Sequence, residues 1–302
     1  MKDWDLGQLA ALVAVVDEGS FDAAAARLRL TPSAVSQRIK ALERTAGQVL
    51  VRRSKPTEVT SAGAAHLRLA RQLAAVVAQA EAELVPDGEL PTVPLAVNAD
   101  SLATWVLPAL ATVADVARFD LRREDQAHTT ELLRAGAVVA AITSQAEPVQ
   151  GCRSVRLGSM RYRPVASPSY AGRWLPDGPT AAALARAPVV VFDRKDHLQD
   201  DYLRKVSRRA LAPPRHHVPS SREFVEAIEL GLGWGMLPRQ QYDGTGLVVL
   251  DERRFVEVPL YWQQWTLHTP ALDAIAAAVR AGAATALDQR RRAKQRDSGA
   301  SW

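Results

Sequence analysis

The chain has 302 residues, 47% hydrophobic and 24% charged, enough for two or three domains with sizeable cores and too apolar for a wholly disordered chain. Its formal net charge of +5 is modest for that length, which argues against indiscriminate coating of nucleic acid. Cys152 is the only cysteine, so an intramolecular disulfide framework is excluded.

The start, MKDWDLGQL, carries early acidic residues and no apolar core of a signal peptide, and no run reaches eighteen apolar residues. A soluble, cytoplasmic protein without a membrane partner is expected. A first helix is predicted over Leu6 to Asp17, with Leu9, Leu12, Val13 and Val16 on one face and Gly19 closing it. Ser20 caps a short second helix, Phe21 to Leu28, and Arg29 and Leu30 form a turn.

The stretch that follows, Thr31 to Gly47, reads T-P-S-A-V-S-Q-R-I-K-A-L-E-R-T-A-G. Thr31 can cap a helix, and Pro32 takes the first helical position, where its missing N–H costs nothing. Ala34, Val35, Ile39 and Leu42 form an apolar stripe, leaving Ser33, Ser36, Gln37, Arg38 and Lys40 on a polar, partly basic face. Alone, this is an ordinary amphipathic helix. With two short helices before it, it reads as the recognition helix of a helix-turn-helix, whose Ser and Gln can meet base edges while Arg and Lys reach bases or phosphates.

Val49–Arg52 and Glu58–Thr60 then suit a small hairpin with Ser54, Lys55 and Pro56 at its tip. Such a wing would carry Arg52, Arg53 and Lys55 to the phosphate backbone. From Arg27 to Thr60 there are eight Arg or Lys residues against two acids, Glu43 and Glu58. A second basic cluster, Arg290 to Arg296, reads either as a solvated flexible tail or as a weak DNA contact.

A long helix is predicted from Thr60 or Ser61 to about Leu84. Leu67, Ala70, Leu73, Val77, Ala80 and Leu84 recur at three- and four-residue steps, a seam for another helix or for the helix's own downstream domain. Pro86 to Pro91 breaks it and marks a domain boundary. Beyond, short strands alternate with helices, which argues for an α/β architecture in two small lobes. Ligands in such sheets settle beyond the carboxyl ends of strands. The residues there are Asp100, Ser101, Glu124, Thr143, Asp193 and Ser221. Each alone could be a local cap or a solvent-facing turn. Together they offer helix-end N–H groups for a carboxylate and several acids for cations, which suits a zwitterion with a cationic side chain.

Neither a catalytic constellation nor a metal site is expected. The six histidines are scattered, Cys152 has no evident activating base, and Gly231, Gly233 and Gly235 do not follow a dinucleotide fingerprint. No cofactor is implied. Trp234, Trp262 and Trp265 are expected to pack in the core.

The pattern L-x-x-L-x-A-V-V-D-E-G-S-F-x-x-A-A-x-x-L-x-L-T-P-S-A-V-S-Q-R-I-K-x-L-E resembles the winged helix-turn-helix of LysR-type transcriptional regulators. Ser36-Gln37-Arg38-Ile39, together with L-A-V-N-A-D-S-L-A-T-W at Leu95–Trp105, G-L-G-W-G-M-L-P at Gly231–Pro238 and V-P-L-Y-W-Q at Val258–Gln263, resembles the lysine- and arginine-responsive branch. The resemblance implies an α/β protein with an N-terminal winged helix-turn-helix (1–60) and a dimerising linker helix (61–86). A two-lobed, periplasmic-binding-protein-like effector domain would follow at 92–290, with lobe I about 92–165 and 267–290 and lobe II about 166–266. Residues 291–302 would form a basic flexible tail.

The implied function is an activator of a basic amino-acid exporter gene, controlled by lysine or arginine held between the lobes. Implied partners are double-stranded promoter DNA, a second copy through the linker helix, a tetramer through the effector domains, and RNA polymerase. Two other readings stay open. One is an architectural or repressor-type DNA-binding protein with a different effector or none. The other is a small-molecule-binding or enzymatic α/β protein bearing a DNA-binding head, disfavoured by the lack of a nucleophile–base arrangement.

Overall fold

The computed structural model describes residues 4–84, 90–123 and 129–289; Glu124, most of the expected interdomain break and the C-terminal basic cluster lie outside them. Three helices open the chain: α1 (Leu6–Asp17), α2 (Phe21–Leu28) and α3 (Pro32–Ala46). Their boundaries follow from their caps. Asp5 Oδ1 accepts from Gln8 N, Ser20 Oγ from Ala23 N and Thr31 Oγ1 from Ala34 N, each satisfying an orphan donor of a first turn. Gly47 closes α3 in the left-handed region at φ 74°.

A two-stranded wing of β1 (Val51–Arg52) and β2 (Glu58–Val59) pairs Val51 with Val59 and Arg52 with Glu58. Glu43 of α3 ties wing to helix, its carboxylate accepting from Leu50 N at 2.9 Å. The linker helix α4 (Ser61–Leu84) begins where Thr60 Oγ1 accepts from Gly63 N at 2.9 Å. A side chain at Gly63 would collide with the wing, since a Cβ there would lie 2.0 Å from the Leu50 carbonyl oxygen.

The seam predicted on α4 divides its work. Leu67 and Ala70 are buried and Leu73 packs beside them in the core of the head, together with Leu9, Leu12, Ile39, Leu42 and Leu50. Val76 and Val77, by contrast, are 44% and 40% exposed. The first half of the helix therefore lies on its own head, and only the second half presents apolar residues outward.

Next come β3 (Thr92–Val97) and a helical run: α5 (Ala99–Ser101), a π-helical turn (Leu102–Val106) and α6 (Leu107–Ala111). The chain continues through β4 (Arg118–Arg123), α7 (Thr129–Arg134), β5 (Ala140–Thr143), β6 (Cys152–Ala166), α8 (Pro168–Trp174), α9 (Ala181–Leu184), β7 (Val189–Val191), α10 (Leu198–Val206) and β8 (Arg215–His217). It ends with α11 (Ser221–Glu229), β9 (Gly235–Pro238), α12 (Arg239–Tyr242), β10 (Val248–Val249), β11 (Val256–Trp265) and α13 (Pro270–Ala286).

These elements form two compact units. The first comprises Met1–Asn98, Leu110–Val155 and Trp262–Ala278; the second comprises Ala99–Ala109, Arg156–Tyr261 and Val279–Trp302. In the first, β3 lies parallel to both β4 and β5. Ala96, Leu133, Val138, Ala141, Val149 and Trp265 form the core of this lobe. In the second, β6 pairs antiparallel with β9 and β10, and β7 lies parallel to β8. Its core joins Val165, Val190, Phe224, Ala227, Ile228 and Leu237.

The crossings differ from the sequence expectation. They fall at 155/156 and 261/262, rather than near 165 and 266; α5 with its π turn, and α13 from Val279 on, belong to the second unit. The cause is strand length: β6 runs for 15 residues and β11 for 10, where the sequence predicts short strands. The early part of β6 is broken in hydrophobic pattern by Arg153, Arg156 and Gly158. Gly158 is required there, because at φ 149° a Cβ would come within 2.8 Å of Leu287 Cβ. Trp234, Trp262 and Trp265 are all core residues, at most 2% exposed.

Candidate nucleic-acid interface and effector site

The polar residues of α3 do not act as one set. Ser33, Gln37 and Lys40 are exposed and recur at helical spacing, and Arg44 extends the stripe by one turn. Gln37, Lys40, Arg44, Gln48 and Val49 border an open hollow of about 630 Å³. Arg44 and Gln48 were not among the expected contacts, although their spacing from Gln37 and Lys40 was readable.

Ser36 and Arg38 are only half-exposed and have local work. Arg53 Nη2 donates to Ser36 Oγ at 2.8 Å, and the same guanidinium stands 4.6 Å over the Phe21 ring. That cation is pre-positioned between α2, α3 and the wing. Arg38 lies against the first turn of α1, where a Cβ on Gly7 would be 3.3 Å from its Nη1. Arg52 and Lys55 are exposed on the wing. The geometry therefore presents an amide and hydroxyl stripe for base edges, flanked by cations for phosphates.

In the second unit, Asp100 and Ser101 stand at the start of the helical run after β3. The π turn follows immediately, and Thr104 Oγ1 donates to the Asp100 carbonyl at 2.6 Å. Tyr162 of β6 donates its hydroxyl to Asp100 Oδ2 at 2.8 Å. Burial pushes the Asp100 carboxyl up to about 6; hydrogen bonds from Tyr162 and Gln241 oppose the rise, and the charge of Asp196 adds to it. Ser101 is fully buried and its hydroxyl oxygen has no hydrogen-bond partner, an arrangement that costs free energy unless a ligand or water meets it.

Asp193, the expected acid of the next strand end, is turned into its own loop. Its Oδ1 accepts from Lys195 N at 2.7 Å and Asp196 N at 3.1 Å. The acid whose field reaches Asp100 is Asp196. Burial raises the Asp196 carboxyl as well, against hydrogen bonds from Leu198 N, Phe192 N and Gln199, with Asp193 adding charge repulsion. Asp196, Tyr162 and Gln241 thus interact with Asp100, and strand-end reasoning did not single them out. Ser221 opens α11 behind Ser220, whose hydroxyl bonds Glu223.

The first unit holds Thr143 at the end of β5, fully buried, its Oγ1 accepting from Gln145 N at 3.2 Å. Among the buried polar atoms there without hydrogen-bond partners are both side-chain atoms of Asn98 and the hydroxyl of Thr130 at the start of α7. Neither residue was singled out by sequence. Among the described residues no group of three or more His, Cys, Asp or Glu could hold a metal ion, and no helix is long and apolar enough to cross a membrane.

Residues 6–64 match the bacterial regulatory helix-turn-helix protein family, lysR, and residues 87–289 match the LysR substrate binding domain. The chain is 49% identical over 283 residues to the HTH-type transcriptional regulator LysG of Mycobacterium tuberculosis, covering 91% of this chain and 92% of that protein. It is 44% identical over 286 residues to the lysine export transcriptional regulatory protein LysG of Corynebacterium efficiens, covering 91% and 97%. Full-length LysG of Corynebacterium glutamicum with bound effector Arg superposes with a TM-score of 0.79 at 39% identity, covering 94% of this chain and 100% of that one. A winged head matching the lysR helix-turn-helix family, joined by a long helix to a LysR substrate binding domain, places the chain in the LysR family: it is a DNA-binding transcriptional regulator.

Proposed function

We propose that the protein regulates transcription of a basic amino-acid exporter gene, as an activator, in response to arginine or lysine. The observation that carries the effector class is the pair of partly desolvated carboxylates, Asp100 and Asp196, in one electrostatic neighbourhood. Two acids held this way repel each other, and a cation relieves the repulsion. A neutral amino acid brings one ammonium; arginine or lysine brings two cationic groups. Ser101, with its unpartnered hydroxyl beside a helix start, suits the effector carboxylate. The relatives support the reading, one by its name as a lysine export regulator and one by its bound Arg.

In this reading Asp100, Asp196 and Ser101 contact the effector directly, with Tyr162 and Gln241 orienting Asp100. Thr143 and Ser221 remain proposed contacts from their strand-end and helix-start positions alone, and Glu124 from the sequence alone. Asp193 acts through its loop, by holding Asp196. On the DNA side, Ser33, Gln37 and Lys40 meet bases or adjacent phosphates, and Arg52, Arg53 and Lys55 meet the backbone, with Ser36 and Arg38 as positioning groups. Self-association uses the outward Val76 and Val77 on α4, and a two-fold dimer calls for an operator with dyad symmetry.

The test is transcription in vitro from promoter DNA of the protein's own upstream region. Arginine or lysine should raise transcript yield in the presence of the protein, and a neutral amino acid should not. Equal yields under all three conditions would reject the effector class; lower yield with the basic amino acids would reject activation.

A further inference from the structure

The head and the lobe of the first unit have separate cores. The head cluster takes in Leu67 and Ala70 of α4, while the lobe cluster centres on Leu133, Val138, Ala141 and Trp265, and no residue belongs to both. Next to the junction lies a cavity of about 590 Å³, lined by Ala74, Val93, Val139, Leu267 and Leu272 among others. Apolar packing therefore does not clamp head to lobe there. Polar links bridge the gap, and they converge on one face of α4.

Arg71 is central to them. Its Nη2 is ion-paired with Asp17 at the end of α1, and its Nη1 donates at 2.9 Å to the carbonyl of Ala135, just past α7. That carbonyl is an orphan acceptor of a helix C-terminus. The Arg71 side chain is 14% exposed, so the pair is shielded from solvent more than a surface bridge. Asp17 is also 3.3 Å from Arg27 Nη1, so it keeps a cationic neighbour if Arg71 is lost. One turn earlier, Arg68 Nη1 donates to the Gln150 carbonyl at 3.4 Å. Gly136, at φ 68°, lets the lobe approach α4 so closely that a Cβ there would sit 3.0 Å from Arg68 Cα.

We propose that Arg71 is the positioning residue that latches the DNA-binding head to the lobe, with α7 as its counterpart. Helix α7 carries the buried, unpartnered Thr130 hydroxyl at one end and the Arg71-bound carbonyl at the other. Its six residues span roughly 9 Å. A displacement of α7 thus reaches α1 through a single guanidinium, whose planar fork can hold a carboxylate and a carbonyl together. The latch does not depend on the identity of the effector, although its use in regulation rests on the function proposed above.

The test is a distance measurement by pulsed electron resonance on the full chain without effector. Spin labels would be placed at Asp22→Cys on α2 and Glu131→Cys on α7, in a Cys152→Ser background. The otherwise unmodified protein should give one narrow distance, and Arg71→Gln should broaden it or add a second population. Asp17→Ala should do the same and provides the test if Arg71→Gln does not fold. A distribution unchanged in the folded variants would overturn the latch. Arginine titration of the same proteins reads the functional proposal separately: absence of binding would sink the effector assignment while the distances still decide the latch.

Discussion

The head and the second unit use charge in opposite ways. On the head, Lys40, Arg52 and Lys55 stand in solvent, where an isolated charge acts weakly and salt screens it. Their effect on a polyanion grows with number, through release of counterions. In the second unit, two carboxylates are drawn out of water and close enough for one to raise the other. There a single charge carries much of the interaction, and its proton equilibrium lies near neutrality instead of far from it. The contrast suits the proposed partners: a long, uniform phosphate chain on one side, a small cation on the other.

The largest effect should come from removing one buried charge. Asp100→Ala should weaken arginine binding by about 100-fold or more, since a cation would then face a desolvated site with one carboxylate fewer. Calorimetric titration measures it, and a loss below threefold would take Asp100 out of the site. Acidification should come next. The folded Asp100 carboxyl titrates near 6, above its ordinary 3.8, and the cation requires its ionised form. Arginine should therefore bind about tenfold more weakly at pH 5 than at pH 7, with the decline setting in below about 6. Affinity flat across that range would contradict the assignment.

On the head the expected changes are smaller and of a different kind. Arg52→Ala should lower operator affinity severalfold and reduce the slope of log affinity against log salt by about one unit, on every sequence tested. An unchanged slope would remove Arg52 from the phosphate contacts. Gln37→Ala should leave nonspecific binding nearly intact while flattening preference among base substitutions in the operator. A uniform loss on all sequences would make Gln37 a backbone contact instead.

The two regions also differ in how far their sequence could be read. All three helices of the head and the tip of its wing are set by residues a few positions apart: Asp5 with Gln8, Ser20 with Ala23, Thr31 with Ala34, Gly47 as terminator. Periodicity and caps suffice when the partners are that close. What stayed hidden there was the pairing of Ser36 with Arg53, 17 residues apart. In the second unit, distance in sequence governs the site itself. Asp100 meets Tyr162 across 62 residues, in a strand whose length the hydrophobic pattern understates. Backbone N–H groups of one loop satisfy both Asp193 and Asp196, and it is the charge of Asp196 that acts on Asp100. Strand-end position singles out Asp193, whereas the acid of that loop whose charge acts on Asp100 is Asp196.

The central claim is that a basic amino acid held by the acidic pair is coupled to DNA held by the head. The most direct measurement is calorimetric titration of the full chain with arginine, lysine and a neutral amino acid, with and without DNA from its own upstream region. Binding of the basic amino acids alone is expected, with an affinity that DNA alters, because coupling between two ligands is reciprocal. No binding of either basic amino acid to folded protein, or binding that DNA leaves untouched, would contradict it.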